Sequence, residues 1–250
     1  MKKIKQFVTI IAFMGVLMIH CGSSESDDSG STYIIHRLAG DMKIDAVWDK
    51  AQWRQVPSVF IGNYMGEKPS FMPETEAKVQ VDDKNIYVIF HVRDRYVRAV
   101  ERNMQGKVWE DACVEFFFAP DTSKPLQYFN VEMNCGGTVL MYYNRKPDVD
   151  RTPLALEDIE QIEIAHTMPK IVDPEITEPV TWTLEYRLPF SVLEKYARLT
   201  RPQPGVTWRG NFQKCAETNS HPHWLTWAKI DYPTPKFHMP QYFGRLEFSE

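Results

Sequence analysis

Glu115 and Glu132 are the two residues of this sequence best placed to do chemistry. Each stands inside a β-rich run: Cys113-Val114-Glu115-Phe116-Phe117-Phe118 and Tyr128-Phe129-Asn130-Val131-Glu132-Met133-Asn134. Two carboxyls on adjacent strands are the pair that most glycoside-cleaving enzymes use. They serve equally well for binding without turnover. Strand alternation assigns their neighbours. Asn130, Glu132 and Asn134 share one face, and Phe129, Val131 and Met133 the other. Glu115 lies opposite the face of Val114, Phe116 and Phe118, while Arg209 and Asn211 share a face within Trp208 to Phe212. One face of such a sheet packs on a core and the other is polar and available. The plain structural reading is solvent exposure, with Glu115 or Glu132 paired to Arg209 in an ion pair of modest worth. No G-x-S-x-G or H-E-x-x-H element is present. His221 and His223, with Cys215 or Glu217 nearby, are metal-ligand types, but histidines at i, i+2 are frequent by chance.

These residues need strands to hold them, and the chain supplies many short ones. Ala77 to Val81, the turn cluster Asp82-Asp83-Lys84-Asn85 and Ile86 to Val92 read as a hairpin. Cys113 to Phe118 and Tyr128 to Asn134 follow, separated by a loop through Pro120, Asp121 and Pro125. Gly136-Gly137 makes a turn before Thr138 to Tyr143. Ile162 to His166, Thr181 to Leu188, Thr207 to Lys214 and Gly244 to Phe248 complete the set. The helical candidates are short: Ala46 to Trp53, and Ser191 to Tyr196 with Ser191 as N-cap. Many short strands without a βαβ rhythm predict an all-β, antiparallel sandwich or barrel.

The N-terminus reads as an export signal over residues 1–20. Lys2, Lys3 and Lys5 precede an uncharged apolar run from Phe7 to Ile19, the size of a signal-peptide core. Cys21 follows, as in bacterial lipoprotein signals, although His20 stands where those signals place a small residue. Lipidation of Cys21 would anchor the protein to a membrane. Residues 21–32 then form an acidic, Ser-rich tether with almost nothing apolar to bury. The tether resembles the tag that sends some lipoproteins to the outer cell surface, with a plain solvated linker as the other reading; the expectation is an outer-membrane lipoprotein on the cell surface or the periplasmic face. Residues 33–250 are long enough for one β domain with a core of its own. A net charge of -4 without a basic stripe argues against nucleic acid as a partner. Cys113, Cys135 and Cys215 show no zinc or redox spacing. Cys113 and Cys135 are candidates for neighbouring strands, with three buried thiols as the other reading.

Five segments, in order, resemble carbohydrate-binding module family 9 and its DOMON-like relatives. Asp41 to Ala51 (DMKIDAVWDKA) resembles the opening G-x-I-D-x-x-W-x-x-A, and Val79 to Val92 the hairpin. Trp109 to Phe117 (WEDACVEFF) resembles W-x-D-D-x-V-E-I-F. Tyr186 to Leu193 (YRLPFSVL) resembles A-I-P-F-S-x-L. Gly205 to Phe212, Thr226-Trp227 and Phe237 to Gly244 resemble the closing section. The resemblance implies a jelly-roll-like or immunoglobulin-like sandwich that holds a mono- or oligosaccharide between two aromatic rings. Pyranose C–H faces stack on flat rings, and the hydroxyls require fixed polar partners.

On that resemblance, Trp109 is one stacking ring and Glu115 the hydroxyl-binding carboxylate. Trp227 is the candidate for the second ring, with Trp224 its rival. Asn130, Glu132, Arg209 and Asn211 would supply further hydrogen bonds. Trp48, Trp53, Trp182 and Trp208 read as packing residues, whereas Trp109 and Trp227 are open between site and packing. The resemblance also allows structural calcium, with Asp82, Asp83 or the Asp148/Asp150 stretch as oxygen ligands. Some DOMON relatives hold haem through a Met/His pair, but Met239 and His238 are too adjacent to supply both axial ligands. The expectation is a non-catalytic sugar binder in carbohydrate uptake or catabolism, with a glycosidase or uptake partner. A sandwich that has lost sugar binding and serves as an interaction protein is the alternative. A glycosidase is a third.

Overall fold

The computed structural model describes residues 30–250. The expected signal peptide, Cys21 and most of the tether lie outside the described residues. Among the described residues the chain forms sixteen strands. In chain order they are β1 (Thr32–Arg37), β2 (Val59–Phe60), β3 (Asn63–Tyr64), β4 (Glu74–Val81), β5 (Asn85–Asp94), β6 (Val97–Ala99), β7 (Cys113–Ala119) and β8 (Tyr128–Asn134). The second half adds β9 (Val139–Lys146), β10 (Asp150–Pro153), β11 (Glu163–His166), β12 (Val172–Ile176), β13 (Val180–Pro189), β14 (Thr207–Ala216), β15 (His223–Thr226) and β16 (Gly244–Phe248).

The strands build a sandwich of two sheets that share β1. One sheet runs β10-β9-β8-β7-β14-β16-β1, and the other β1-β4-β5-β13-β11. The first half of β1 lies parallel to β16, with Tyr33 opposite Leu246, and its end lies parallel to β4, with Arg37 opposite Val81. These two pairings depart from the otherwise antiparallel arrangement. The facing sides bury Val114, Phe116, Phe118, Phe129, Val131 and Phe212 from the first sheet against Val88, Phe90, Val92, Trp182 and Leu184 from the second. Phe116 stacks on Phe212 with ring centroids 4.4 Å apart, and Phe118 stacks on Trp208 at 5.7 Å.

Period-two alternation sends the remaining side chains outward, yet these faces are covered too. Residues from Met42 to Val56 lie across the second sheet, packing Trp53 on Tyr87 and Ile89. That cover is pinned by Glu185, which accepts from Trp53 Nε1 at 2.8 Å and from the Ala46 amide at 2.8 Å. The expected helix over Ala46 to Trp53 shrinks to Ala51–Arg54, because Ala46 takes a left-handed φ of 58° that no helix continues through. The helix expected over Ser191 to Tyr196 is Phe190–Leu193, with Pro189, not Ser191, at its N-cap position. On the first sheet, Ile230, Phe237, Met239 and Phe243 cover Phe117 and Tyr128. The polar strand face expected to be open is therefore mostly roofed, and Glu115, Asn130, Glu132 and Asn211 are all buried.

Candidate carbohydrate-binding site

The roof leaves one part of the first sheet uncovered. A cavity of about 430 Å³ opens there, with Glu115, Asn130, Glu132 and Leu140 in its floor. Three registers set that floor. Glu115 stands directly opposite Glu132 across β7 and β8, Glu132 opposite Leu140 across β8 and β9, and Cys113 opposite Cys215 across β7 and β14. Phenylalanines on the alternate positions lock the strands into the core, so the floor groups share a rigid base.

Trp109 and Trp224 line the cavity, both half-buried. Trp109 sits in a short turn, Val108–Glu110, that leads into β7 and is anchored by buried Val108. Its carbonyl accepts from the Glu217 amide at 3.3 Å. Asp111 holds the preceding loop by accepting from the Val100 and Glu101 amides and from Asn134 Nδ2. Trp224 lies on β15 opposite Cys215, on the cavity side of the sheet, and its indole N–H donates to Glu217 Oε1 at 3.0 Å.

The far wall comes from Tyr142, Asp148, Arg151, Lys236, Phe237 and His238. Lys236 pairs with Asp148 at 2.8 Å, tying the roof to the β9–β10 turn. Arg151 lies over the Tyr142 ring, 4.7 Å from its centroid. His238 Nδ1 hydrogen-bonds the Tyr128 hydroxyl at 2.7 Å, and its Nε2 lies 3.9 Å from Glu132 Oε1.

Burial sets the protonation of this floor. Desolvation pushes the Glu132 carboxyl up to about 7, opposed by the Asn130 amide, which donates to Oε1 at 2.8 Å. Glu115 is raised well above the usual carboxylate range, first by burial and then by the charge of Glu132. His238 is pushed down to about 4, again by burial, so its ring is neutral at pH 7. The pair therefore retains a proton at neutral pH. It offers both a donor and acceptors, which is what hydroxyl groups require.

Other residues named from the sequence lie elsewhere. Trp227 turns toward the sandwich core, edge-on to Phe212 at 5.6 Å and to Tyr33 at 6.5 Å, and does not line the cavity. Arg209 lies under the roof and donates its Nε to the Phe243 carbonyl at 2.9 Å. Asn211 is a strut, donating to the Ala228 carbonyl at 2.9 Å and accepting from the Ala228 amide at 2.8 Å. The carboxylates considered for calcium have protein partners: Asp82 accepts from Tyr87 and the Lys84 amide, Asp83 from Arg37, Asp148 from Lys236 and Asp150 from Arg145. Cys113, Cys135 and Cys215 are free, buried thiols, and Cys113 faces Cys215 rather than Cys135. His221 stacks on Tyr96 at 3.5 Å, while buried His223 bonds Lys214 Nζ.

Sequence reasoning missed Tyr142, Arg151, Lys236 and His238 as wall residues. Tyr142 carried a signal, since it shares strand parity with Leu140 beside Glu132. Arg151 and Lys236 carried none, because Arg151 stands on the short edge strand β10 and Lys236 in a loop, and neither gives a period to read.

No curated protein matches the chain. A solved structure from Bacteroides uniformis, provisionally described as a carbohydrate-binding protein, superposes with a TM-score of 0.79 at 25% identity, covering 88% of this chain and 100% of that one. A carbohydrate binding module family 9 from Caldicellulosiruptor kristjanssonii, in complex with cellotriose, shares the fold with a TM-score of 0.59 at 14% identity, covering 87% and 93%. A carbohydrate binding module family 9 from the same organism, in complex with glucose, gives 0.58 at 16% identity, covering 86% and 95%. The model of carbohydrate-binding family 9 matches residues 43–248, and the chain belongs to that family.

Proposed function

We propose that this protein is a non-catalytic carbohydrate-binding lipoprotein that takes a mono- or short oligosaccharide against Trp109 and Trp224, over a floor of Glu115, Glu132 and Asn130. The observation that carries this reading is that two half-buried tryptophans line the same cavity as a buried carboxyl pair. Rings bind the apolar faces of a pyranose, and the pair answers its hydroxyls. A cavity of about 430 Å³ is in the range of small-ligand sites. The carboxyl arrangement favours binding over hydrolysis. Glycosidases place their two carboxyls on either side of the scissile bond, whereas Glu115 and Glu132 rise side by side from neighbouring strands of one floor.

The test is tryptophan fluorescence of the protein titrated with glucose, cello-oligosaccharides and a panel of other sugars. A saturable change is expected for one sugar class. Trp109→Ala or Trp224→Ala should weaken binding at least about tenfold, roughly 1.4 kcal/mol. A folded protein that responds to no sugar would turn the reading to an interaction sandwich. Turnover lost in Glu115→Gln would make it a glycosidase.

Acylation of Cys21 would place the domain on the outer membrane at the end of its acidic tether, beside a glycosidase or an uptake system that it supplies. Labelled palmitate should enter the unmodified chain and not Cys21→Ala in cells. Equal labelling of both would remove the anchor from the proposal.

A further inference from the structure

Beside Glu115, at the edge of the cavity floor, stand two thiols that sugar binding leaves unused. Cys113 and Glu115 are two apart on β7 and so point the same way, and Cys215 stands directly opposite Cys113 on β14. All three are buried. One ligand atom from each lies within 4.8 Å of the other two, and the Cys215 thiol donates to Glu115 Oε1 at 3.1 Å. Two residues at i, i+2 on a strand and a third across the ladder make a triangle standing on a rigid base. A tetrahedral zinc ion with bonds of about 2.3 Å to sulfur and about 2.1 Å to oxygen needs edges of roughly 3.6–3.8 Å. Changes of at most about 1.2 Å in each edge bring the triangle to that size. Soft thiolates select zinc-like ions over calcium and magnesium.

We infer that Cys113, Cys215 and Glu115 form a three-ligand site for a zinc-class divalent ion beside the sugar cavity. Glu115 belongs to both, since it lines the cavity and stands opposite Glu132, and an ion enters from the cavity. Loading releases both thiol protons, and any proton on Glu115, to solvent, because thiolate and carboxylate are the ligating forms. The site needs no sugar, so its test stands apart from the reading above.

The experiment is titration of the purified, reduced protein with cobalt(II), followed by zinc. One equivalent of cobalt should bring thiolate-to-metal charge-transfer absorption and the strong visible bands of a tetrahedral ion, and zinc should abolish both. The bands should disappear in Cys113→Ser and Cys215→Ser and persist in Cys135→Ser. Glu115→Gln should keep the charge-transfer absorption while weakening cobalt binding by more than the roughly 10–100-fold that a lost outer-shell partner costs. Should the serine variants fail to fold, zinc-edge X-ray absorption of the unaltered protein should count two sulfur ligands. The inference is overturned by absence of charge-transfer absorption at one equivalent, by bands that survive in the serine variants, by a zinc shell without sulfur, or by a Cys113–Cys215 disulfide in protein isolated without reductant.

Discussion

The protonation of Glu132 couples the site to the stability of the whole domain. Its carboxyl is raised from about 4.5 to about 7 because burial disfavours the charge. The sign follows from proton uptake. Between those two values the folded chain keeps a proton that the unfolded chain has lost, so rising pH favours unfolding. The stabilisation is complete below about pH 4.5 and is lost as pH climbs through about 7. In the metal-free protein Glu115, raised by the same burial and by Glu132 itself, extends the effect upward. Urea-unfolding midpoints should fall across this window, and Glu132→Gln should flatten the fall. An unchanged slope in that variant would place the proton elsewhere. Trp109 and Glu115 were legible from the sequence because they sit in one motif that leads directly into a strand. Asn130 and Glu132 followed from alternation alone.

At the scale of elements, β15 and the bend after it show why Trp224 lines the cavity and Trp227 does not. Trp224 and Trp227 are three residues apart, an odd separation, so an extended segment sends them to opposite sides. Trp224 meets Cys215 on the cavity side, while Trp227 follows Phe212 into the core, its amide bonded to the Phe212 carbonyl at 2.9 Å. Which of the two faces the cavity depends on register against β14, and register is set by tertiary packing. The two substitutions should therefore separate. Trp224→Ala should lose sugar binding and keep its unfolding midpoint. Trp227→Ala should cost about 3 kcal/mol in urea unfolding and leave sugar affinity near that of the unaltered protein. Arg209 and Asn211 illustrate the same limit. Alternation placed them on the correct face of β14, but nothing in the sequence showed that the segment from Ala228 to Phe243 would lie over that end of the strand. The central strands were legible because their apolar alternation is strong. β2, β3 and β6 were not, since two or three residues give no period to read.

At the scale of the molecule, the two sheets are joined at their edge by β1, and this strand also stands next to the tether. Thr32–Arg37 carried no strong signal, because its one inward-facing set is short and its partners β16 and β4 lie far away in sequence. Its energetic share is nonetheless large. Tyr33 and Ile35 are buried in the common core, and the Tyr33 hydroxyl accepts from the Val79 amide at 3.1 Å and donates to the Pro57 carbonyl at 2.8 Å. Burying two such side chains contributes about 2–3 kcal/mol each, so losing β1 removes about 5 kcal/mol. A domain of this size has only about 5–15 kcal/mol in total. A chain starting at Gly30 should melt like the longer protein, because every β1 contact is kept. One starting at Leu38 should lose most of its stability or fail to fold, since the removal exposes the edges of both sheets together. Equal melting temperatures for the two chains would show that β16 and β4 hold the sheets together without their shared strand.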